Sequence, residues 1–177
     1  MALTFNQAVA AQVSMAYFGR PQDTGALTVL GAGLVNGSPT AAQLATQFAT
    51  AESKVVFGPA PTVSSVIAKS FELVGRTATA QNINDIAAWA TSAKLDISQL
   101  PWEIIKIAMA TESLLPQASQ VLWARLAVSY QFSEDVSANA TALQNLATSS
   151  AFQGAAHAVI NGVTSFATIA IAYPAIG

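Results

Sequence analysis

Few side chains in this sequence could carry reactive chemistry. His157 is the sole histidine, and there is no cysteine. Nucleophilic catalysis needs a nucleophile and a base within hydrogen-bond reach, and a metal site needs several clustered ligands. No second histidine and no close carboxylate accompanies His157, so neither a triad nor a zinc site can be assembled. It reads as a core or interface residue on an apolar helix. Glu134-Asp135 is the only adjacent acidic pair. Calcium requires an oxygen-rich loop that the chain lacks, so this pair reads as a solvated turn or a helix cap.

The run Leu27-Thr28-Val29-Leu30-Gly31-Ala32-Gly33-Leu34-Val35-Asn36-Gly37 imitates a dinucleotide-binding turn. Its third glycine comes one residue late. Asn36-Gly37-Ser38-Pro39 would break the helix that must receive a pyrophosphate at its start. Glu52 precedes the apolar Val55-Val56-Phe57 where the motif's acid should follow the strand. The sequence therefore argues against an enzyme and implies no metal or nucleotide cofactor.

Binding chemistry has more to work with. Trp89, Trp102 and Trp123, with Tyr17 and Tyr130, could offer platforms for sugar rings, although aromatics at helical spacing commonly serve the core. The best place for a saccharide is Trp89 with the nearby amides Gln81, Asn82 and Asn84. Charged residues make up only 9% of the chain, and the seven Lys plus Arg are scattered among nine Asp plus Glu. That balance provides no electrostatic footprint for nucleic acid. At 53% apolar the chain has ample core material, which excludes disorder and leaves a surface of Ser, Thr, Asn and Gln.

These residues must be positioned by helices. Thr4 and Gln7 make a capping box ahead of Phe5, Val9, Val13 and Ala16 on one face, and Gly19 stops the helix. Asp23 or Thr24 caps a second helix bearing Leu27, Leu30 and Leu34. Ser38 with Pro39 reads as the start of a third, with Leu44, Ala45 and Phe48 inward. Val55 to Pro61 reads as a linker, and only Lys54 to Phe57 looks extended. Thr62 restarts the pattern through Val63, Val66, Ile67, Phe71 and Val74, and Gly75 stops it. Asn82 or Asn84 begins the next helix, Pro101 another with Ile104, Ile105 and Ala108, and Pro116 another with Val121, Leu122, Arg125, Leu126 and Ser129. Ser137 or Asn139 caps a short helix, and a last one runs from about Ser150 to Ile171. The expectation is an all-α bundle of eight or nine helices in one domain over 1–177.

The apolar stretch from Gln153 to Gly177 is long enough to span a bilayer. It nevertheless has Asn161, Gly162, Thr164 and Ser165 near its middle and no flanking Lys or Arg, so no transmembrane span is expected.

Two stretches repeat. Gly19-Arg20 recurs as Gly75-Arg76 at an offset of 56, and Glu52-Ser53 recurs as Glu112-Ser113 at an offset of 60. Both copies run helix, Gly-Arg, helix, turn, helix, Glu-Ser. This implies two copies of one helical unit, at about 4–57 and 62–115, followed by C-terminal helices over 116–177. Glycine takes the left-handed C-cap without steric cost, and the arginine after it meets helix carbonyls at the negative end of the dipole. Arg20 is then expected to pair with Asp23, and Arg76 with Asp85.

The run Ala16-Tyr17-Phe18-Gly19-Arg20-Pro21-Gln22-Asp23-Thr24-Gly25-Ala26-Leu27, followed by Leu34, Gly37, Phe48, Glu52 and Phe57, resembles the domain-of-unknown-function repeat of RTX-type and S-layer proteins. The second copy keeps Gly75, Arg76, Trp89, Glu112 and Ser113, and departs at Thr79-Ala80, where Asp and Gly are missing. In character the chain is also similar to the N-terminal helical domain that anchors proteobacterial S-layer proteins to lipopolysaccharide. The resemblance implies a non-catalytic structural domain of a secreted surface-layer or adhesin-like protein, held to the envelope through lipopolysaccharide or another envelope glycan. It implies type I export, which suits an opening Met-Ala-Leu-Thr-Phe-Asn-Gln that has neither the basic nor the long apolar part of a cleaved signal. It implies no cofactor in this domain, calcium being expected only in further repeats of a full-length protein. The other reading is a self-assembly or protein-interaction module acting through one exposed helical face, as a homo-oligomer or lattice.

Overall fold

The computed structural model describes residues 4–49, 53–110 and 116–164. Every element among them is a helix: α1 (Phe5–Phe18), α2 (Thr24–Val35), α3 (Ala41–Phe48), α4 (Ser53–Phe57), α5 (Val63–Leu73), α6 (Ala80–Ser92), α7 (Leu100–Ala110), α8 (Pro116–Ala138), α9 (Ala140–Thr148) and α10 (Ser150–Asn161). The fold is an all-α multi-helix bundle. No described helix is long and apolar enough to cross a membrane. Ser165 to Gly177, the end of the suspected span, lies outside the described residues.

Threonine starts many of these helices. Thr4, Thr40, Thr62 and Thr79 each accept from the N–H three residues on, while Gln7, Gln43, Ser65 and Asn82 reach back to the threonine N–H. Each box satisfies two orphan donors without a charge. Asp23, Asn139 and Ser149 cap α2, α9 and α10.

Several sequence expectations shift by a few residues. α3 is capped by Thr40, not Ser38, because Gln43 stands three residues beyond Thr40 and completes the box. α6 is capped by Thr79 for the same reason, so Asn82 is its box partner and not its start. Lys54 to Phe57, expected to be extended, lies in the short helix α4, whose apolar Val56 packs into the main core. α10 ends at Asn161 instead of continuing towards Ile171.

α1 is the hub. It buries Ala10, Ala11, Val13, Ser14, Met15, Ala16, Tyr17 and Phe18. It packs against α2, α3, α4, α5 and α7. In the same way α5 packs on both α6 and α7. The main core joins α1 to Leu27, Leu44, Leu73, Trp102, Ile105, Leu122, Leu126 and Ile160. The Phe18 and Phe48 rings meet at 4.9 Å between centroids. Tyr17 ties α1 to the second half by donating to the Ser98 carbonyl at 2.5 Å. Burial pushes its hydroxyl pKa upward, so it remains a donor.

The C-terminal helices close the bundle through Arg125 of α8, which is 2% exposed. Its Nη1 donates to the Glu72 carbonyl at 2.8 Å and to the Leu73 carbonyl, at the end of α5. Its Nη2 donates to Asn161 O at 2.8 Å and its Nε to Val163 O at 2.9 Å, at the end of α10. A cation among helix C-terminal carbonyls is favoured by the dipoles of both helices. Burial pulls its pKa down to about 10, still well above neutrality, so it stays charged.

The two repeat glycines carry a second constraint. Gly19 has φ 62° and Gly75 has φ 72°, both left-handed. A Cβ on Gly19 would lie 1.8 Å from His157 Cδ2 of α10, and one on Gly75 would lie 2.9 Å from Val121 Cγ1 of α8. The glycines therefore both end a helix and seat a C-terminal helix against it.

Two expectations follow. Arg125→Met should cost roughly 3 kcal/mol or more in urea unfolding, since each buried carbonyl left unpaired costs about 1–3 kcal/mol. Gly19→Ala should cost roughly 2–5 kcal/mol, adding left-handed strain to overpacking against His157. Loss of under 1 kcal/mol (about the size of an ordinary surface change) in either variant would remove these contacts from the centre of the fold.

His157 gives a pH dependence. Burial lowers its pKa below the ordinary 6.5, helped by the charges of Arg125 and Lys69 and opposed by Glu72. The unfolded chain then takes the proton more readily than the folded one. Stability is complete above pH 6.5 and declines as pH falls from there through the folded-state value. Thermal melts should show Tm falling over this window in the wild type, with a flatter slope in His157→Gln. Equal slopes would contradict the assignment.

Candidate functional site

The described surface bears an apolar groove with a volume of about 280 Å³, lined from α5 and its end by Phe71, Val74 and Arg76, from α6 by Asp85, Ile86 and Trp89, and from α7 by Ile104, Ile107 and Ala108. Local sequence explains each wall. α5 closes in a Schellman turn: Gly75 N–H donates to Glu72 O at 3.0 Å and Arg76 N–H to Phe71 O at 2.9 Å. That turn delivers the Arg76 side chain to one edge of the groove. On α6, positions 82, 85, 86 and 89 fall on one stripe by three- and four-residue spacing, so Asp85, Ile86 and Trp89 face the groove together. Trp89 is 37% exposed and Ile107 is 41% exposed, so both present apolar surface to solvent.

The structure separates the amides from the tryptophan. Asn82 Oδ1 accepts from Thr79 N at 3.0 Å and from Thr79 Oγ1 at 2.8 Å, so its side chain belongs to the capping box. Gln81 Nε2 donates to Asp85 Oδ1 at 2.7 Å along the helix surface. Asn84 is exposed and, five residues from Trp89, points about 140° away around the helix. Of the four residues expected to make a saccharide site, only Trp89 lines the groove.

The expected arginine–aspartate pairs do not form. Asp23 Oδ1 accepts from the Ala26 N–H at 3.0 Å and serves as the α2 cap. Arg20 is buried, donates from Nη1 to Pro21 O at 2.8 Å, and sits 5.6 Å from the centre of the Phe18 ring. Arg76 and Asp85 share the groove lining without an ion pair; the described ion pairs are Lys69–Glu72 and Lys106–Glu103, both at 2.7 Å. Glu52 and Glu112, the other repeat markers, lie outside the described residues.

The groove combines an aromatic face, aliphatic walls and two opposite charges at its rim. Such a site can hold a ligand with one apolar face and a polar or anionic edge. Sequence reasoning missed Phe71 and Ile104 as lining residues because their apolar spacing also fits a core stripe, and it passed over Ile107. The available signal was Ile107, which stands off the Ile104, Ile105 and Ala108 face yet is apolar.

Two other clefts are smaller or less apolar in their walls. One, of about 200 Å³, runs beside Tyr17, Phe57 and Pro101. The other, of about 310 Å³, joins Arg20, Gln22 and Asp23 to Leu143 and Gln144 of α9, and has no aromatic wall. No group of three or more His, Asp or Glu residues that could hold a metal ion occurs among the described residues.

Trp89 should behave as a groove residue. Trp89→Ala should lower stability by no more than about half the 3–5 kcal/mol expected for the buried Trp102→Ala, measured by urea unfolding. Equal losses would make Trp89 part of the core. In comparison with known proteins, no family model, curated protein or solved structure matches this chain.

Proposed function

We propose that this is a non-catalytic anchoring domain of a secreted bacterial surface-layer or adhesin-like protein, which grips envelope saccharide, foremost that of lipopolysaccharide, in the Trp89 groove. The observation that carries the reading is the partly exposed Trp89 indole in one groove with Arg76 and Asp85. The C–H face of a sugar ring stacks on an indole, while hydroxyls and phosphates bond to a guanidinium and a carboxylate at its edge. Further support comes from the resemblance of the Gly-Arg repeat to surface-layer proteins, together with a cysteine-free, charge-poor chain. The domain would work at the bacterial surface after type I export. One shallow groove binds weakly, and many copies in an ordered array sum to firm attachment.

The test is calorimetric titration of the full chain with lipid-free lipopolysaccharide oligosaccharide. Saturable binding is expected. It should be lost in Trp89→Ala and kept in Trp123→Ala, which removes a tryptophan on another helix. Arg76→Gln should weaken phosphorylated oligosaccharide by about tenfold, the scale of one charge-assisted hydrogen bond. Absence of binding at high oligosaccharide, or undiminished binding by Trp89→Ala, overturns the reading.

A further inference from the structure

The groove beside Trp89 carries two unanswered charges. The Arg76 side chain is half-buried and has no hydrogen bond or ion pair among the described residues. Asp85 takes one bond, from Gln81 Nε2 to its Oδ1 at 2.7 Å, and its Oδ2 accepts nothing among them. Both residues line one groove of about 280 Å³, yet they are not paired with each other. A guanidinium only donates and a carboxylate only accepts, so each calls for an outside partner of its own kind: an acid for Arg76, a cation for Asp85. Every other residue of the lining is apolar or aromatic.

The chain itself shows what suits such a floor. α1 packs on α2 and α3, and α5 packs on α6 and α7. Phe18 stands just before the left-handed Gly19, and Val74 just before the left-handed Gly75. Phe48 lies four residues past the buried Leu44 of α3, and Ala108 four past the buried Ile104 of α7. In the first trio of helices these two positions bring ring against ring, at 4.9 Å between centroids. In the second they hold Val74 and Ala108, and both line the groove. Aromatic surface is present there on the protein side only, from Phe71 and Trp89. A ring brought by a ligand would supply the partner that such surfaces favour.

We infer that the groove is a binding site for a free aromatic α-amino acid of the phenylalanine type. The ring lies on the apolar floor, the carboxylate meets the Arg76 guanidinium, and the ammonium meets the Asp85 carboxylate. One small ligand thus answers both charges and the missing ring. An aromatic acid without the ammonium sets its charge near Asp85 with nothing to offset it, and an aromatic amine does the same near Arg76. The inference goes beyond the saccharide reading, in which a sugar rests on the exposed face of Trp89, and does not depend on it. Both ligands draw on Arg76, so occupation by one excludes the other.

The experiment is calorimetric titration of the full chain with L-phenylalanine. Saturable binding is expected, with a dissociation constant on the order of 1 mM, the scale for a ligand of this size. The probe 3-phenylpropionate lacks the ammonium, phenethylamine lacks the carboxylate and L-alanine lacks the ring, and each should bind at least about fivefold more weakly. Asp85→Asn should weaken L-phenylalanine and phenethylamine by about fivefold and spare 3-phenylpropionate. Arg76→Gln should weaken L-phenylalanine and 3-phenylpropionate by about fivefold and spare phenethylamine. A merely structural role for either residue would weaken every probe alike, and an unchanged far-ultraviolet spectrum verifies the fold. Lack of saturation well above the expected constant, equal binding of the four probes, or a variant that weakens all of them equally overturns the inference. Oligosaccharide binding without phenylalanine binding overturns it too, and leaves the saccharide reading standing.

Discussion

The bundle depends on a buried guanidinium. Arg125 reaches out of α8 to the carbonyls that end α5 and α10, four bonds in all. Helix ends leave carbonyls without intrahelical partners, and these would be costly to bury alone. A planar group with five donors suits two helix ends at once, which no lysine could match in geometry. Thus one side chain both neutralises the ends of two helix dipoles and holds α8 and α10 to α5. Its charge is satisfied by main-chain oxygens, so no acidic partner has to be buried with it.

Around that tether, the repeat glycines do comparable work by lacking a side chain. Gly19 admits the His157 ring, and Gly75 admits Val121. The arginines that follow them diverge. Arg20 is buried beside Phe18, while Arg76 is half-buried at the rim of the groove. The turns differ to match: Gly19 N–H bonds to Met15 O alone, whereas Gly75 and Arg76 N–H groups bond to Glu72 O and Phe71 O, and only the second turn leaves a guanidinium lining the groove.

Much of the fold was legible in the sequence, for reasons that are local. Thr4 with Gln7, and Thr62 ahead of an apolar stripe, announce helix starts because the capping bonds span three residues. Gly19 and Gly75 announce helix ends because their backbone demands it. Misplacements arose where two local signals competed, as at Ser38-Pro39 against Thr40, or where a β-branched pair masked a helical turn, as at Lys54 to Phe57. The role of Arg125 was not legible. It sits in an ordinary apolar stripe with Val121 and Leu122, and its acceptors are main-chain oxygens, about 36 to 53 residues distant, that no side-chain pattern marks. The candidate site was half legible. Trp89 was identified, but its neighbours in sequence, Gln81 and Asn82, turned out to be bonded within their own helix. Proximity along a helix brings residues together only at three- or four-residue spacing, and Arg76 reached the groove by a turn instead.

The scarcity of charge links these features. Neutral Thr boxes replace the acidic first turns that commonly start helices, and a cation bonded to carbonyls replaces a buried ion pair. A molecule stabilised this way is little affected by ionic strength, because few of its contacts are Coulombic between exposed groups. The same economy shapes its surfaces. A face without charge has no ion pair to direct the choice of partner. Selectivity then has to come from shape and from the few polar groups that remain. On the described surface, Arg76 and Asp85 beside Trp89 are such a set: two opposite charges at the edge of an apolar groove, close enough to act on one ligand and not bonded to each other.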